Sequence, residues 1–183
     1  FLRRVEEDAE YVGSLNHEED VTACIVRLRT WVRGCEEIKL SMIYGPVWLD
    51  LGTLRNNLVA RAKVAHDKLL QRNVELCHNQ LDESHSDLKK VIEHAQRRPK
   101  NVVQFTNFVV DFKAGEARFI EFESRVALVD KSYMQLLANS GLDHLDDVAP
   151  IDDMMLRKEL KRLWGEYLPE MEAAKAFIDA NQG

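Results

Sequence analysis

The sequence predicts an all-α protein: an elongated bundle of about five helices, two of them long, with little or no strand. Three observations carry this. Eight Gly and four Pro in 183 residues leave long stretches with nothing to end a helix. More than forty consecutive residues after Thr53 contain neither. Along most of the chain, apolar residues recur in alternating steps of three and four, the spacing that places them on one face of a helix.

The breaks fall at "GSLNHEED" (13 to 20), "YGPVWLDLGT" (44 to 53), "RRPKN" (97 to 101) and "NSGLDHLDDVAPIDD" (139 to 153). Before the first, "FLRRVEEDAEYV" reads as the end of a helix begun earlier. A helix over 19 to 43 follows, with Val21, Ile25, Leu28, Val32, Cys35, Ile38 and Met42 on one face. The short "VWLD" adds an extended or hairpin-like stretch, two strands at most.

Thr53 is a fitting N-cap for the next helix, and Pro99 excludes the residue before it from α geometry. A helix between them would be on the order of 65 Å long, more than a compact domain encloses. Its apolar positions run Leu54, Leu58, Ala62, Ala65 and Leu69, slip by one near Val74, then resume as Cys77, Leu81, Leu88, Val91 and Ala95. The slip predicts a bend or a change of packing partner between 70 and 77.

The following segment holds five phenylalanines between 105 and 122. Alternate steps of three and four give Phe105, Phe108, Phe112, Gly115, Phe119, Phe122, Val126, Val129, Tyr133 and Leu136, all apolar but the glycine. Such a stripe packs on sibling helices, while Lys113, Glu116, Arg118, Glu121, Glu123 and Arg125 stay off it. Gly115 weakens the helix by about 1 kcal/mol relative to Ala, a cost that close approach of a neighbour would explain. The last helix, roughly 152 to 180, uses Leu156, Leu160, Leu163, Tyr167, Met171, Ala174 and Phe177, and Pro169 predicts a kink or a break within it. Trp31 and Trp48 read as local core anchors and Trp164 as packing at a helix junction. Two domains are expected: residues 1–52 as the helical end of a preceding bundle, and 53–183 as a long-helix antiparallel bundle.

Composition narrows the function classes. The chain is 45% hydrophobic and 31% charged with a net charge of −6, and it has no basic cluster dense enough to engage a polyphosphate backbone. Nucleic acid is therefore not an expected partner. No run approaches the roughly 20 apolar residues of a membrane span, and no signal peptide or initiating Met opens the chain, which reads as a piece of a longer cytosolic protein. Cys24, Cys35 and Cys77 are odd in number and lack CxxC spacing, so they read as reduced small apolar residues.

No Gly-Lys pair exists to close a Walker loop, no G-x-S-x-G elbow is present, and "NHEED" ends the H-E-x-x-H pattern on Val21 rather than His. Glu75 and His78, then Asp82 and His85 one heptad later, repeat an i, i+3 carboxylate–His relation found in di-iron bundles. The two pairs stand about 10 Å apart along one helix and cannot share a centre, so they read as a solvated face. Asp146, Asp147, Asp152 and Asp153 flank a proline loop and a helix start, where acids suit the helix dipole. No catalytic, cofactor or metal residue is therefore assigned, no cofactor is expected, and an enzyme is not.

The order of these features resembles the stem of a dynein heavy chain just before the linker to its motor ring. "YGPVWLDLGTLRNNLVARAKVAHDKLL" is similar to the segment in which an aromatic-Gly turn precedes an extended Leu-Asp pair and a Leu-spaced helix. "VIEHAQRRPKNVVQFTNFVVDFKAGEARFIEFESRVALVDKSYMQLLANSGLD" resembles the stretch that follows, and "LWGEYLP" the Trp-bearing helix after it. The resemblance covers roughly residues 40 to 170. It implies a non-catalytic structural segment that supports motor assembly and force transmission in microtubule-based movement, with the ATPase elsewhere in the parent. It also implies protein partners, namely other heavy chains and intermediate or light chains, with no membrane, nucleic acid or small-molecule substrate. The implied location is the cytoplasmic cytoskeleton, in a cilium or flagellum axoneme. The alternative is a spectrin-like or coiled-coil helical adaptor module that binds protein partners.

Overall fold

The computed structural model describes Val5 and residues 9 to 181. Residues 1 to 4 and 6 to 8, on which most of the expected opening helix falls, lie outside the described residues. In chain order the elements are α1 (Ala9–Gly13), α2 (Glu18–Glu36), β1 (Ser41–Tyr44), β2 (Val47–Asp50), α3 (Gly52–Gln96), α4 (Val102–Ala117), α5 (Phe119–Ser140), a 3₁₀ turn (Leu145–Asp147) and α6 (Ile151–Asn181). The fold class is all-α with one small hairpin, as the sparse Gly and Pro and the helical periodicity predict.

Several boundaries differ from expectation for identifiable reasons. Helix α2 ends at Glu36, so Ile38 lies in the turn that follows and Met42 on a strand. Helix α3 begins at Gly52, not after a Thr53 cap, because the Asp50 carboxylate accepts the Gly52 amide at 2.8 Å and so ends the strand in the same residues that open the helix. Its 45 residues run unbroken. The expected slip at Val74 is absent: Asn73, 1% exposed, carries the seam from Leu69 to Cys77 in steps of four. An apolar-only reading skipped that position because the buried side chain is polar. Further on, Ile92 takes the buried place assigned to Val91.

The described residues pack as two units. One contains the residues up to Leu76 with Leu136–Leu142; the other contains Cys77–Gln135 and the chain from Asp143 onward. The division falls inside α3 rather than at residue 52, because the neighbours of this helix change along its length. Up to Leu69 its buried positions join Val5, Val21, Ile25 and Leu28 in one cluster, with Trp31 packed against it. Arg72 completes this unit by donating to the carbonyls of Gly13 (3.2 Å) and Leu15 (3.1 Å), which closes the end of α1, while pairing with Glu75 at 3.0 Å. From Cys77 on, the contacts of α3 are with α4, α5 and α6.

In the second unit the aromatic stripe is real but is carried by two helices. The chain turns at Arg118 (φ −92°, ψ 5°), whose amide bonds the Gly115 carbonyl in a tightened turn. On either side of this turn every stripe position is buried or half-buried. The rings meet α6: Phe105 and Phe108 lie 6.3 and 5.8 Å from Phe177, Phe119 lies 5.4 Å from Trp164, and Phe122 lies 5.9 Å from Tyr167. The phenylalanines face the chain's own core. Trp164, half-buried, sits at that junction as expected.

Helix α6 continues through Pro169. The proline deprives the Gly165 carbonyl of its helical donor, but both residues lie on the exposed side, where water satisfies it. The buried face on both sides of the proline, from Leu160 to Ile178, holds the helix in one piece. Met171 and Tyr167 from this face close over Gly115: a Cβ there would lie 2.9 Å from Val91 Cγ1 and 3.3 Å from Met171 Cε, and the Tyr167 hydroxyl donates to the Gly115 carbonyl at 2.6 Å. Gly115→Val is therefore expected to destabilise by about 1 to 3 kcal/mol through overpacking. Gly34→Ala, at an exposed helical site with open space around it, should instead stabilise by up to about 1 kcal/mol. Denaturant midpoints moving in opposite directions would bear this out; two shifts of the same sign would not.

Beside the Arg118 turn, charges form a network. The Arg118 guanidinium donates twice to Glu121 (2.9 Å each) and contacts Asp87 at 3.5 Å, while Arg125 reaches Asp87 at 3.0 Å and Glu121 at 3.3 Å. Hydrogen bonding from Arg118 holds the Glu121 carboxyl down to about 2, against its ordinary 4.5. Asp87 is lowered too, first by its bond to Arg125. A lowered carboxyl contributes stability that is fully present above its unfolded value and is lost as pH falls through the folded one. Thermal melting should thus show an acid-side loss between about pH 4.5 and 2 that is smaller in Arg118→Gln. Identical acid profiles for the two proteins would contradict it.

Candidate functional site

Three features of the described residues carry chemistry or exposed apolar surface. The first is a buried polar node in the second unit. Asp153, in the first turn of α6, is 1% exposed, and both its carboxylate oxygens are used: the Tyr133 hydroxyl donates to Oδ2 at 2.7 Å and His78 Nδ1 to Oδ1 at 2.6 Å. Because a carboxylate only accepts, Nδ1 carries the His78 proton. Burial, then the Asp153 bond, pushes the Tyr133 phenol far above its usual range, so it remains a donor. Arg157 lies over the Tyr133 ring at 4.6 Å and pairs with Asp130 at 2.9 Å. Nearby, Ser132 donates to the Gln80 side chain at 2.8 Å. The node fastens the start of α6 to α3 and α5, and its two donors offset part of the cost of burying the Asp153 side chain.

The structure divides the paired residues that the sequence singled out. Glu75 pairs with Arg72 and His78 with Asp153, while His85 has a buried Nε2 with no hydrogen-bond partner among the described residues. Burial, with Lys89 adding to it, lowers His85. Among the described residues no group of three or more His, Cys, Asp or Glu is placed to hold a metal ion. Of the four acids near the proline loop, Asp152 is exposed and Asp153 belongs to the node. Cys24, Cys35 and Cys77 form no disulfide among the described residues.

The second feature is the hairpin. Its two-residue turn places Gly45 at φ 57°, and Pro46 cannot take positive φ, so the turn is type II′, which matches strand twist. The register pairs Met42 with Leu49, Ile43 with Trp48 and Tyr44 with Val47. Side chains opposite each other share a face, so Met42, Tyr44, Val47 and Leu49 form one apolar face and Ile43 and Trp48 lie on the other. All eight strand residues are exposed; Ile43, Tyr44 and Trp48 are 75%, 77% and 64% exposed. Trp48, left open to solvent, is therefore not the core anchor the sequence suggested. The Leu51 amide bonds the Leu40 carbonyl at 2.8 Å and extends the pairing at the base. A lone two-stranded hairpin is marginal in water, and its outer edges, charged only at Asp50, are templates for another strand.

The third feature is a notch of about 270 Å³ between α2 and α3 in the first unit, floored by Leu28, Val32 and Ala62 and rimmed by Arg29, Arg33, Lys63 and His66. Arg29 donates to the carbonyls of Ala138 (3.2 Å) and Asn139 (2.5 Å), and His66 Nε2 to the latter at 3.1 Å. Sequence reasoning missed this notch because its basic residues are scattered over two segments of an acidic chain. No described helix is long and apolar enough to cross a membrane. No protein-family model matches the chain, and no curated protein matches it.

Proposed function

We propose that this chain is a non-catalytic helical scaffold that docks other protein chains, and specifically a structural segment of a dynein heavy-chain stem that supports motor assembly and force transmission on microtubules. One observation carries the docking role: a hairpin apolar on both faces and open at both edges, on a chain whose aromatic seam is otherwise enclosed. Exposed apolar surface of this kind marks protein interfaces. The stem identity is supported by the resemblance over residues 40 to 170 and by the long helices and short breaks. Its partners would be other heavy chains and intermediate or light chains, and its location an axoneme. The hairpin equally suits a helical adaptor outside the dynein family.

Cross-linking of the full-length protein, purified with its bound chains, tests this. The expected result is cross-links from residues 39 to 55 to intermediate, light or further heavy chains. Cross-links to chains of another kind would favour the adaptor reading, and the absence of any cross-link at the hairpin would contradict the docking role.

A further inference from the structure

We infer that the notch between α2 and α3 is a second docking site, and that it takes an acidic partner segment carrying leucine-like side chains. The inference deepens the scaffold reading but rests on a different surface from the hairpin. The floor is apolar: Leu28 and Ala62 are each 1% exposed, and Val32 is half-buried. The rim is basic, and among the described residues no carboxylate lines it. Arg29 and Arg33 stand one helical turn apart on α2 and face Lys63 on α3, with His66 beside it, so three like charges gather in a chain whose net charge is −6. Arg29 and His66 are held by main-chain carbonyls of Ala138 and Asn139. The Arg33 and Lys63 side chains, both exposed, make no ion pair or hydrogen bond among the described residues. Asp67, outside the lining, lies 3.6 Å from His66 Nδ1.

This arrangement specifies its occupant. Cations around an apolar floor whose described lining holds no carboxylate attract a carboxylate beside an aliphatic group, and they select against a cationic surface. A volume of about 270 Å³ suits one or two side chains rather than a cofactor. An amphipathic acidic helix laid across the groove, with a leucine on the floor and glutamates at Arg33 and Lys63, satisfies both halves.

The test uses the purified chain and a labelled, amidated helix-forming peptide of Glu-Leu-Leu-Glu repeats, read by fluorescence anisotropy at low and high salt. The expected result is salt-sensitive binding that weakens at least about tenfold in Arg33→Glu/Lys63→Glu. A matched peptide with Gln in place of Glu should bind comparably weakly to the unmodified protein. Both substitutions are at exposed positions, and unchanged helicity by circular dichroism shows the fold intact. A Trp48→Glu/Ile43→Ser hairpin variant should bind the peptide normally, which separates failure of this site from failure of the hairpin. No binding, binding indifferent to the charge reversals, or equal binding of the Gln peptide overturns the inference. So does binding to phosphatidylserine vesicles without binding to the peptide, or self-association that the reversals abolish.

Discussion

Replacing Phe122 with Asp is expected to destabilise the second unit by at least about 3 kcal/mol, because a carboxylate would replace a ring in a buried apolar site whose neighbouring cation, Arg118, is already paired. Phe122 is 1% exposed and packs on Tyr167 at 5.9 Å, with the Arg118 guanidinium 4.5 Å above its other side. That guanidinium is already committed to Glu121 and Asp87 and offers the new charge only partial relief. Ile120→Asp, two residues away on the same helix but 74% exposed, is the matched control and should change stability by less than about 0.5 kcal/mol. Denaturant unfolding of both variants decides the matter. Equal midpoints would mean that the seam is not the core of the unit.

The second large effect belongs to the polar node. Asp153→Ala should cost about 1 to 3 kcal/mol, since it strands the fully buried Tyr133 hydroxyl and deletes the His78 contact. Tyr133→Phe should cost about 1 kcal/mol, leaving Asp153 with His78 alone. Because both changes break the same bond, the double variant should lose less than the sum. A strictly additive double variant would show that the hydroxyl and the carboxylate are not coupled.

The helices and the seam were legible because hydrophobic periodicity is a local signal that survives without knowledge of the partner. Phe105 to Leu136, and Gly115 as the point of close approach, could be placed from spacing alone. What escaped was set by tertiary context. Asn73 continues the α3 seam as a polar residue, so an apolar count stumbled there. The turn at Arg118 has no Gly or Pro at its own position to announce it; the Gly115 carbonyl, occupied by Tyr167 from a distant helix, accompanies it. Pro169 signalled a kink or a break, and burial on both sides of it keeps the helix continuous. Asp153 stood among acids suited to a helix start, and nothing local distinguished it from Asp152 until Tyr133 and His78 came to it. The hairpin was foreseen as a possibility, but the exposure of Trp48 was not, since large aromatic residues are more often covered. The basic notch joins residues about thirty positions apart, a juxtaposition only the packing of α2 on α3 creates.

The most direct measurement of the central claim is amide hydrogen exchange over residues 41 to 50, compared between the isolated chain and the full-length protein in its assembled state. Two exposed four-residue strands with open edges should exchange rapidly in the isolated chain, while the seam amides of α5 and α6 stay protected in both. Marked slowing of the hairpin on assembly is the predicted result. Equally fast exchange of the hairpin in both states would contradict the account, because a surface that remains open to water in the assembly is not where partners dock.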